Sequence, residues 1–263
     1  MASPKFSWES GPMKIIPTPF FQTGLTDQYT YVASDMALVH NIFSRAFNGI
    51  YLQAPHVHPS EYYAFLSYCK AAFDGLAAHH MGEESHAFPT IEEATGRKGL
   101  MQVNIAQHEA FHDGLHKWGE YLSTLLAGDV AGFNAKEMLA IMDTFLEPLT
   151  THLNDEIPTL LALREFGDKL DLKGIVEKEV ETVMGSLSKT TQLPLFLLNH
   201  DCTFEGGIHN FPPIPPPVRW ALMKVLPVFH GSWWKFATCD STGMPRELYR
   251  RGVKPEECGQ YWA

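Results

Sequence analysis

Six of the thirteen histidines in this chain are followed, four residues on, by a second histidine or a glutamate. The pairs are His79 with Glu83, His80 with Glu84, His108 with His112, His112 with His116, His116 with Glu120, and His152 with Glu156. Given how common Asp, Glu and His are here, about two such pairs would arise by chance. Residues at i and i+4 stack on one face of a helix, so each pair aims two metal-capable groups at one point. Repeated over several helices, the pattern calls for a bundle whose core holds a carboxylate-and-histidine centre, most familiarly one of two iron or manganese ions.

The rest of the chain supplies the helices. Met36, Val39, Phe43, Phe47 and Ile50 keep helical spacing from about Tyr31 to Leu52, with His40 on or beside their face. APHVHPS ends that pattern, and Ser60 is an N-cap candidate for a second helix reaching Pro89 or a little beyond. A third helix is expected over about Leu100 to Leu126, ending near Gly128. A fourth covers about Asn134 to Glu165, and Pro148 and Pro158 inside it should kink it or lengthen a turn. The fold class that follows is all-α, an antiparallel four-helix bundle over residues 31–167, preceded by an extended lead-in over 1–30.

After Gly167 the composition changes. One or two short helices are expected in DKLDLKGIVEKEVETVMGSLSK, followed by FPPIPPPVRW, whose five prolines imply an extended or polyproline course. Trp220, Leu222, Val225, Leu226, Phe229, Trp233 and Trp234 come next, too much apolar surface to leave in water. Residues 168–263 are therefore expected to be a Pro- and aromatic-rich C-terminal extension packed on the bundle, walling the route to the metals or forming a subunit contact.

Composition excludes other classes. A formal charge of −10 and a pI near 5.7, with no basic stripe, argue against nucleic-acid binding. The N-terminal segment lacks the apolar core of a signal peptide, and no apolar run is long enough to span a bilayer. A soluble, cytoplasmic protein without membrane contact is expected. Cys69, Cys202, Cys239 and Cys258 are widely spaced with no C-x-x-C, so free thiols are expected.

A two-metal site needs anionic oxygens to bridge the ions and neutral imidazoles to fill terminal positions. Glu83 and Glu156 are placed to bridge, and His40, His79, His108, His112 and His152 to be terminal, so that each bundle helix contributes. Taken singly, His40 reads as a core histidine; the other three helices make it a ligand candidate. His116 and Glu120 lie roughly 12 Å along the helix from His108 and belong to the surface or the surroundings of the site. His86 is a capping or surface residue, or lines an access channel. Adjacent residues on a helix point about 100° apart, so only one of His79 and His80, and one of Glu83 and Glu84, is expected to face the core.

The order H, H-x-x-x-E, H-x-x-x-H, H-x-x-x-E, carried by LVHNIF, HHMGEESHAFP, QHEAFHDGL and THLNDEIP over about Tyr31 to Glu165, resembles the hemerythrin-like, or HHE cation-binding, domain. Placing Phe88 and Pro89 on the family's Phe-Pro favours His79 and Glu83 as ligands, leaving His80 and Glu84 to orient them or face solvent. The resemblance implies a non-haem centre of two iron ions, with manganese as the alternative, that binds or reacts with dioxygen. The fourth-helix carboxylate follows its histidine by four residues, as in many HHE domains; the oxygen-carrying hemerythrins have a longer gap, which weighs against simple oxygen carriage. The chain beyond Glu165 has no counterpart in the minimal domain.

Two functions compete on this reading. One is an oxidase or oxygenase acting on a small organic substrate roofed by the extension; the other is a protein that binds or senses oxygen, nitric oxide or iron without turnover. The expected partners are dioxygen or another small molecule, an organic substrate under the first reading, and a second subunit through the extension.

Overall fold

The structure, a computed structural model, describes residues 6–250. Each bundle helix starts where local chemistry offers a cap. Asp27 opens α2 (Gln28–Gln53) by accepting the N–H groups of Tyr29 and Thr30, which otherwise have no partner in a first helical turn. The second helix, α3 (Tyr62–Gly82), follows a 3₁₀ turn over Pro59–Glu61 that the His58 ring caps; Ser60, the expected cap, lies inside that turn. One turn of π-helix over Glu83–Ala87 joins α3 to α4 (Phe88–Thr95). The third bundle helix is α5 (Gln102–Ala127), and Gly128 ends it.

The fourth helix is broken in two, α6 (Ala135–Met142) and α7 (Leu146–Ala162). The break at 143–145 explains how Pro148 is accommodated. It falls in the first turn of α7, where no N–H is needed, whereas Pro158 sits in the helix interior. α2 packs on α7 and α3, and α5 packs on the same two helices, which closes the four-helix ring. No strand occurs among the described residues, only an isolated antiparallel bridge between Cys239 and Pro245. Cys69, Cys202 and Cys239 are free thiols, and Cys258 lies outside the described residues.

α2 is the centre of the molecule, not an edge of it. Every residue from His40 to Ile50 is buried, a pattern that a helix with one wet face cannot produce. Its second face is covered by the two ends of the chain. The Asn41 amide donates to the Ile16 carbonyl and accepts the Ile16 N–H, both at 2.8 Å, and Asn48 makes the same reciprocal pair with Met13 at 2.9 Å. These asparagines stand two turns apart and pin the incoming chain along the helix. That lead-in is not extended throughout, since it contains a 3₁₀ turn over Trp8–Ser10 and the short helix α1 (Pro19–Thr23). Farther along, the Arg45 guanidinium is held between the rings of Trp8 and Phe204, 5.2 Å from each centroid.

The C-terminal part forms α8 (Leu172–Ser186), α9 (Gln192–Asn199) and α10 (Pro216–Val225). α8 and α9 lie against α2 and α3. The proline run is extended only at first; Pro216 and Pro217 open α10, the position in a helix where proline fits. The aromatic segment divides. Trp234 and Phe236 are buried, with Phe236 edge-on to Phe65 at 5.0 Å, but Trp220, Val225, Val228 and Phe229 stay exposed, contrary to the sequence expectation. Phe65 and Tyr68 precede His79 on α3 by roughly 17–21 Å of helix, so this segment packs at the far end from the histidine pairs. The difference predicts contrasting stabilities. Phe236→Ala should cost about 3–5 kcal/mol in urea denaturation by leaving a cavity, whereas Trp220→Ala, 67% exposed, should change stability by less than about 0.5 kcal/mol.

Candidate metal centre

The ring of four helices brings seven polar side chains to one place in an otherwise apolar core. His40 from α2, His79 and His80 from α3, Glu83 at the start of the π turn, His108 from α5, and His152 and Glu156 from α7 are all buried. Two groups of donor atoms form within this set. One comprises His40, His79 and Glu83, the other His80, Glu83, His108 and His152; in each the atoms lie within 4.8 Å of one another.

Glu83 belongs to both groups, and its two oxygens face different ones: Oε1 lies 3.2 Å from His79 Nε2, and Oε2 lies 3.5 Å from His108 Nε2. Glu156 also spans them, its Oε2 being 3.2 Å from His40 Nε2 and 3.9 Å from His152 Nε2.

These close approaches are not hydrogen bonds. The Nε2 atoms of His40, His79 and His80, and both carboxylate oxygens of Glu83 and of Glu156, are buried without a hydrogen-bond partner. Such groups cost free energy unless something polar or charged meets them. The outer nitrogens of the rings show which way the lone pairs point. His40 Nδ1 lies 2.8 Å from the Leu153 carbonyl, which can only accept, so Nδ1 carries the proton and Nε2 presents its lone pair inward.

His108 Nδ1 likewise lies 2.6 Å from a carboxylate oxygen of Glu84. Gln107 donates its amide N–H to Asp155 at 3.0 Å, which turns its carbonyl oxygen toward His152 Nδ1, 3.4 Å away. With the ring protons on those outer nitrogens, the Nε2 atoms of His108 and His152, 3.0 Å apart, would meet as two lone pairs. That arrangement is repulsive by itself and favourable around a shared cation, and an acceptor behind each ring is what orients metal-binding imidazoles elsewhere. The donor set of imidazole nitrogens and carboxylate oxygens therefore fits a pair of hard or borderline cations.

The electrostatics agree. Burial, then the neighbouring imidazoles, pushes the pKa values of His79 and His80 far below the usual histidine range, and burial does the same to His152, so these rings are neutral. Burial, then the nearby Glu156, pushes the Glu83 carboxyl well above the usual carboxylate range. Neutral imidazoles are ready to bind a cation; Glu83 must first give up a proton.

Two expectations from sequence are corrected. His112 is not in the cluster. One turn beyond His108, Phe111 takes the inward position, 3% exposed, and His112 turns outward with its side chain 71% exposed, stacked on His116. His79 and His80 both face inward, although adjacent residues point about 100° apart. α3 lies between α2 and α5, so His79 meets His40 and Phe43 on one side while His80 meets His108 and His152 on the other.

Glu84 stays at the edge, holding the back of His108. The π turn ends with the Phe88 N–H donating to the Glu83 carbonyl five residues back, and this wider winding returns Phe88 to the core beside His108, 5.8 Å between centroids. His116, Glu120 and His86 are exposed. Two further polar residues had no signal in the sequence. Asn104, one turn before His108 on the same face, is fully buried with both amide atoms unpaired, and Glu179 of α8 is buried beside Gly82.

Two measurements check this geometry. His80→Ala should lose bound metal and His112→Ala should retain it, by elemental analysis of purified protein. Because the metal-free Glu83 carboxyl holds its proton above the usual range, metal uptake should release protons and affinity should rise with pH. Calorimetric titration in buffers of different ionisation enthalpy reads both.

Comparison with known proteins places this arrangement. A family model for the hemerythrin HHE cation-binding domain matches residues 32–163, which contain all seven clustered side chains. The chain is also 38% identical to the dimeric xanthone biosynthesis cluster protein R11 of Cryptosporiopsis sp. (strain 8999), over 248 residues and 93% of each chain. That alignment necessarily reaches past the family domain into the C-terminal part. No solved structure matches the chain. With four helices delivering histidine and glutamate side chains to one buried cation-fitting cluster, and the family model covering that bundle, the chain belongs to the hemerythrin HHE cation-binding domain family.

Proposed function

We propose that this chain is a non-haem di-iron oxidoreductase that uses dioxygen on a small organic substrate. Glu83 and Glu156 would be shared between the ions, with His40, His79, His80, His108 and His152 as terminal donors. The observation that carries the reading is the overlap of two donor groups in Glu83, with its oxygens turned to opposite sides. When bound, iron supplies redox chemistry and reactivity toward dioxygen that no side chain has.

The chain supplies the setting. Leu153, Glu84 and Gln107 fix the ring orientations of His40, His108 and His152. Phe43, Phe88 and Phe111 pack on the imidazoles and keep bulk water from them. His79 and His80, on α3, are the most accessible of the seven. α8 and α9 pack on that helix: Phe196 packs edge-on to Phe43, 5.3 Å between centroids, and Phe43 in turn stacks on His79. The wall of the centre is thus assigned to α8 and α9, and the aromatic segment beyond Phe211 is not needed for it.

The relative's name supports an organic substrate. It ties that protein to a biosynthesis cluster for dimeric xanthones. Joining two aromatic rings through a new bond removes two hydrogens, which is an oxidation, and phenolic aromatics are the substrate class proposed for this chain. A second reading, a protein that binds oxygen, nitric oxide or iron without turnover, draws support from the near-complete burial of the donor set, all at 9% exposure or less.

Loading the metal-free chain with iron(II) under anaerobic conditions separates the two. The proposal expects two ions per chain, a new optical band on exposure to air, and continued oxygen consumption when a phenolic aromatic is supplied. A band that reverses when oxygen is removed, with no consumption beyond the bound iron, would establish the binding protein instead. Uptake of a single ion, or preferential retention of zinc in air, would defeat the di-iron assignment.

A further inference from the structure

Glu179 lies outside the family domain, on α8, yet it is buried beside the centre that the domain builds. It is 6% exposed, and among the described residues its side chain makes no hydrogen bond or ion pair; its carboxylate oxygens, unlike those of Glu83 and Glu156, keep some access to solvent. α8 packs on α2, on α3 and on the π turn, so the helix that carries Glu179 touches the helices that carry His40 and His79 and the turn that starts with Glu83. Contact is close at Gly82. A Cβ built there would sit 2.7 Å from the Glu179 Oε1 atom and 2.6 Å from Val183 Cγ2, so a side chain at this position, immediately before Glu83, would push the carboxylate and the valine aside. The groups also sense one another: burial, then the negative charge of Glu156, pushes the Glu179 carboxyl up to about 7, and Glu179 in turn contributes to holding Glu83 high.

Among the described residues no lysine or arginine pairs with Glu83, Glu156 or Glu179, so each carboxyl is either held neutral by a proton or, once ionised, needs a cation nearby. The donor set itself does not balance one. Two divalent ions bring four positive charges and neutral imidazoles bring none, so Glu83 and Glu156 offset half. Glu84, behind His108 in one donor group, offsets a third charge, and its side chain is 45% exposed. The helices that carry His40 and His79 are those on which α8 lies, and Glu179 is the remaining anionic group there.

Resting on the reading that the cluster binds two metal ions, we propose that Glu179 is a charge-compensating carboxylate of the metal centre. Contributed by the C-terminal extension, it strengthens binding of the ion held by His40, His79 and Glu83. It acts on the affinity of that ion through its charge and is a positioning residue, not a ligand. The extension is by this account part of the metal site as well as its cover.

The test uses the full chain and a redox-inert ion. Metal-free wild type, Glu179→Gln, Glu179→Asp and, as a surface control on the same helix, Glu181→Gln are titrated with manganese(II) against a chelating indicator, and thermal unfolding of each is recorded without metal. Wild type and Glu181→Gln should bind two ions. In Glu179→Gln, which keeps the size but removes the charge, one ion should bind on the order of tenfold or more weakly while the other is unchanged. Glu179→Asp should recover part of the loss.

Metal-free Glu179→Gln should be as stable as wild type or more so, because an uncompensated buried carboxyl has been replaced by an amide. A purely structural Glu179 gives the opposite pair of signs. Wild-type affinity for both ions in Glu179→Gln overturns the proposal, as does a loss of metal-free stability that accounts for the loss of metal. If wild type itself takes up fewer than two ions, the two-metal reading beneath the proposal fails first, and the experiment shows that separately.

Discussion

Seven polar side chains are confined in one place, where inward-facing atoms of His40, His79, His80, Glu83 and Glu156 have no hydrogen-bond partner, and the rest of the structure answers to that constraint. An unpaired buried carboxylate or imidazole costs free energy, which a cation among them offsets and a bound proton on a carboxyl reduces. Glu83 and Glu156 are wholly inaccessible, and each faces imidazoles from both donor groups. Since such a site exists only when four helices are assembled, the free energy of metal binding is coupled to the folding of the bundle. Metal-free protein has to carry the same cluster with the Glu83 carboxyl pushed toward its protonated form and the rings of His79, His80 and His152 toward neutrality.

The acceptors behind the rings show how the scaffold fixes this cluster. A backbone carbonyl on α7, a carboxylate on the π turn and a side-chain amide on α5 each take the outer nitrogen of a different histidine. Each of these links comes from a bundle helix or the turn beside it, so ring orientation and bundle packing are set together. The π turn contributes twice. It starts with Glu83, whose oxygens span the two donor groups, and its wider winding brings Phe88 back against His108.

α2 connects the centre to the rest of the chain. One of its faces carries His40; others carry Asn41, Arg45 and Asn48, which bond or stack with the N-terminal lead-in and with residues beyond the family domain. A helix of a minimal four-helix bundle has a solvated face. Here that face is occupied, and α8 and α9 reach the edge of the metal centre because they pack on the same helix and its neighbour. Trp220 and Val225 of α10 remain exposed, so this part of the extension does not bury its apolar side chains on the bundle.

Periodicity along the chain is a local property, and what it encodes was legible without the fold: four amphipathic helices, the i, i+4 pairs, and Glu83, Glu156, His40, His79, His108 and His152 as residues that one assembly could bring together. Resemblance to the HHE domain rested on the same spacing. What could not be read was the angular position of a side chain relative to its neighbours, because that depends on which helices flank it. His80 points inward because α3 has partners on two sides, while His112 points outward because Phe111 fills the inward place on α5. The all-round burial of α2 and the arrival of Glu179 beside Gly82 were equally invisible, since they arise from contacts between segments far apart in the chain. The sequence by itself determined which donor groups exist and on which helices; the tertiary structure alone decided which of them meet, because only packing fixes how each helix is rotated about its own axis.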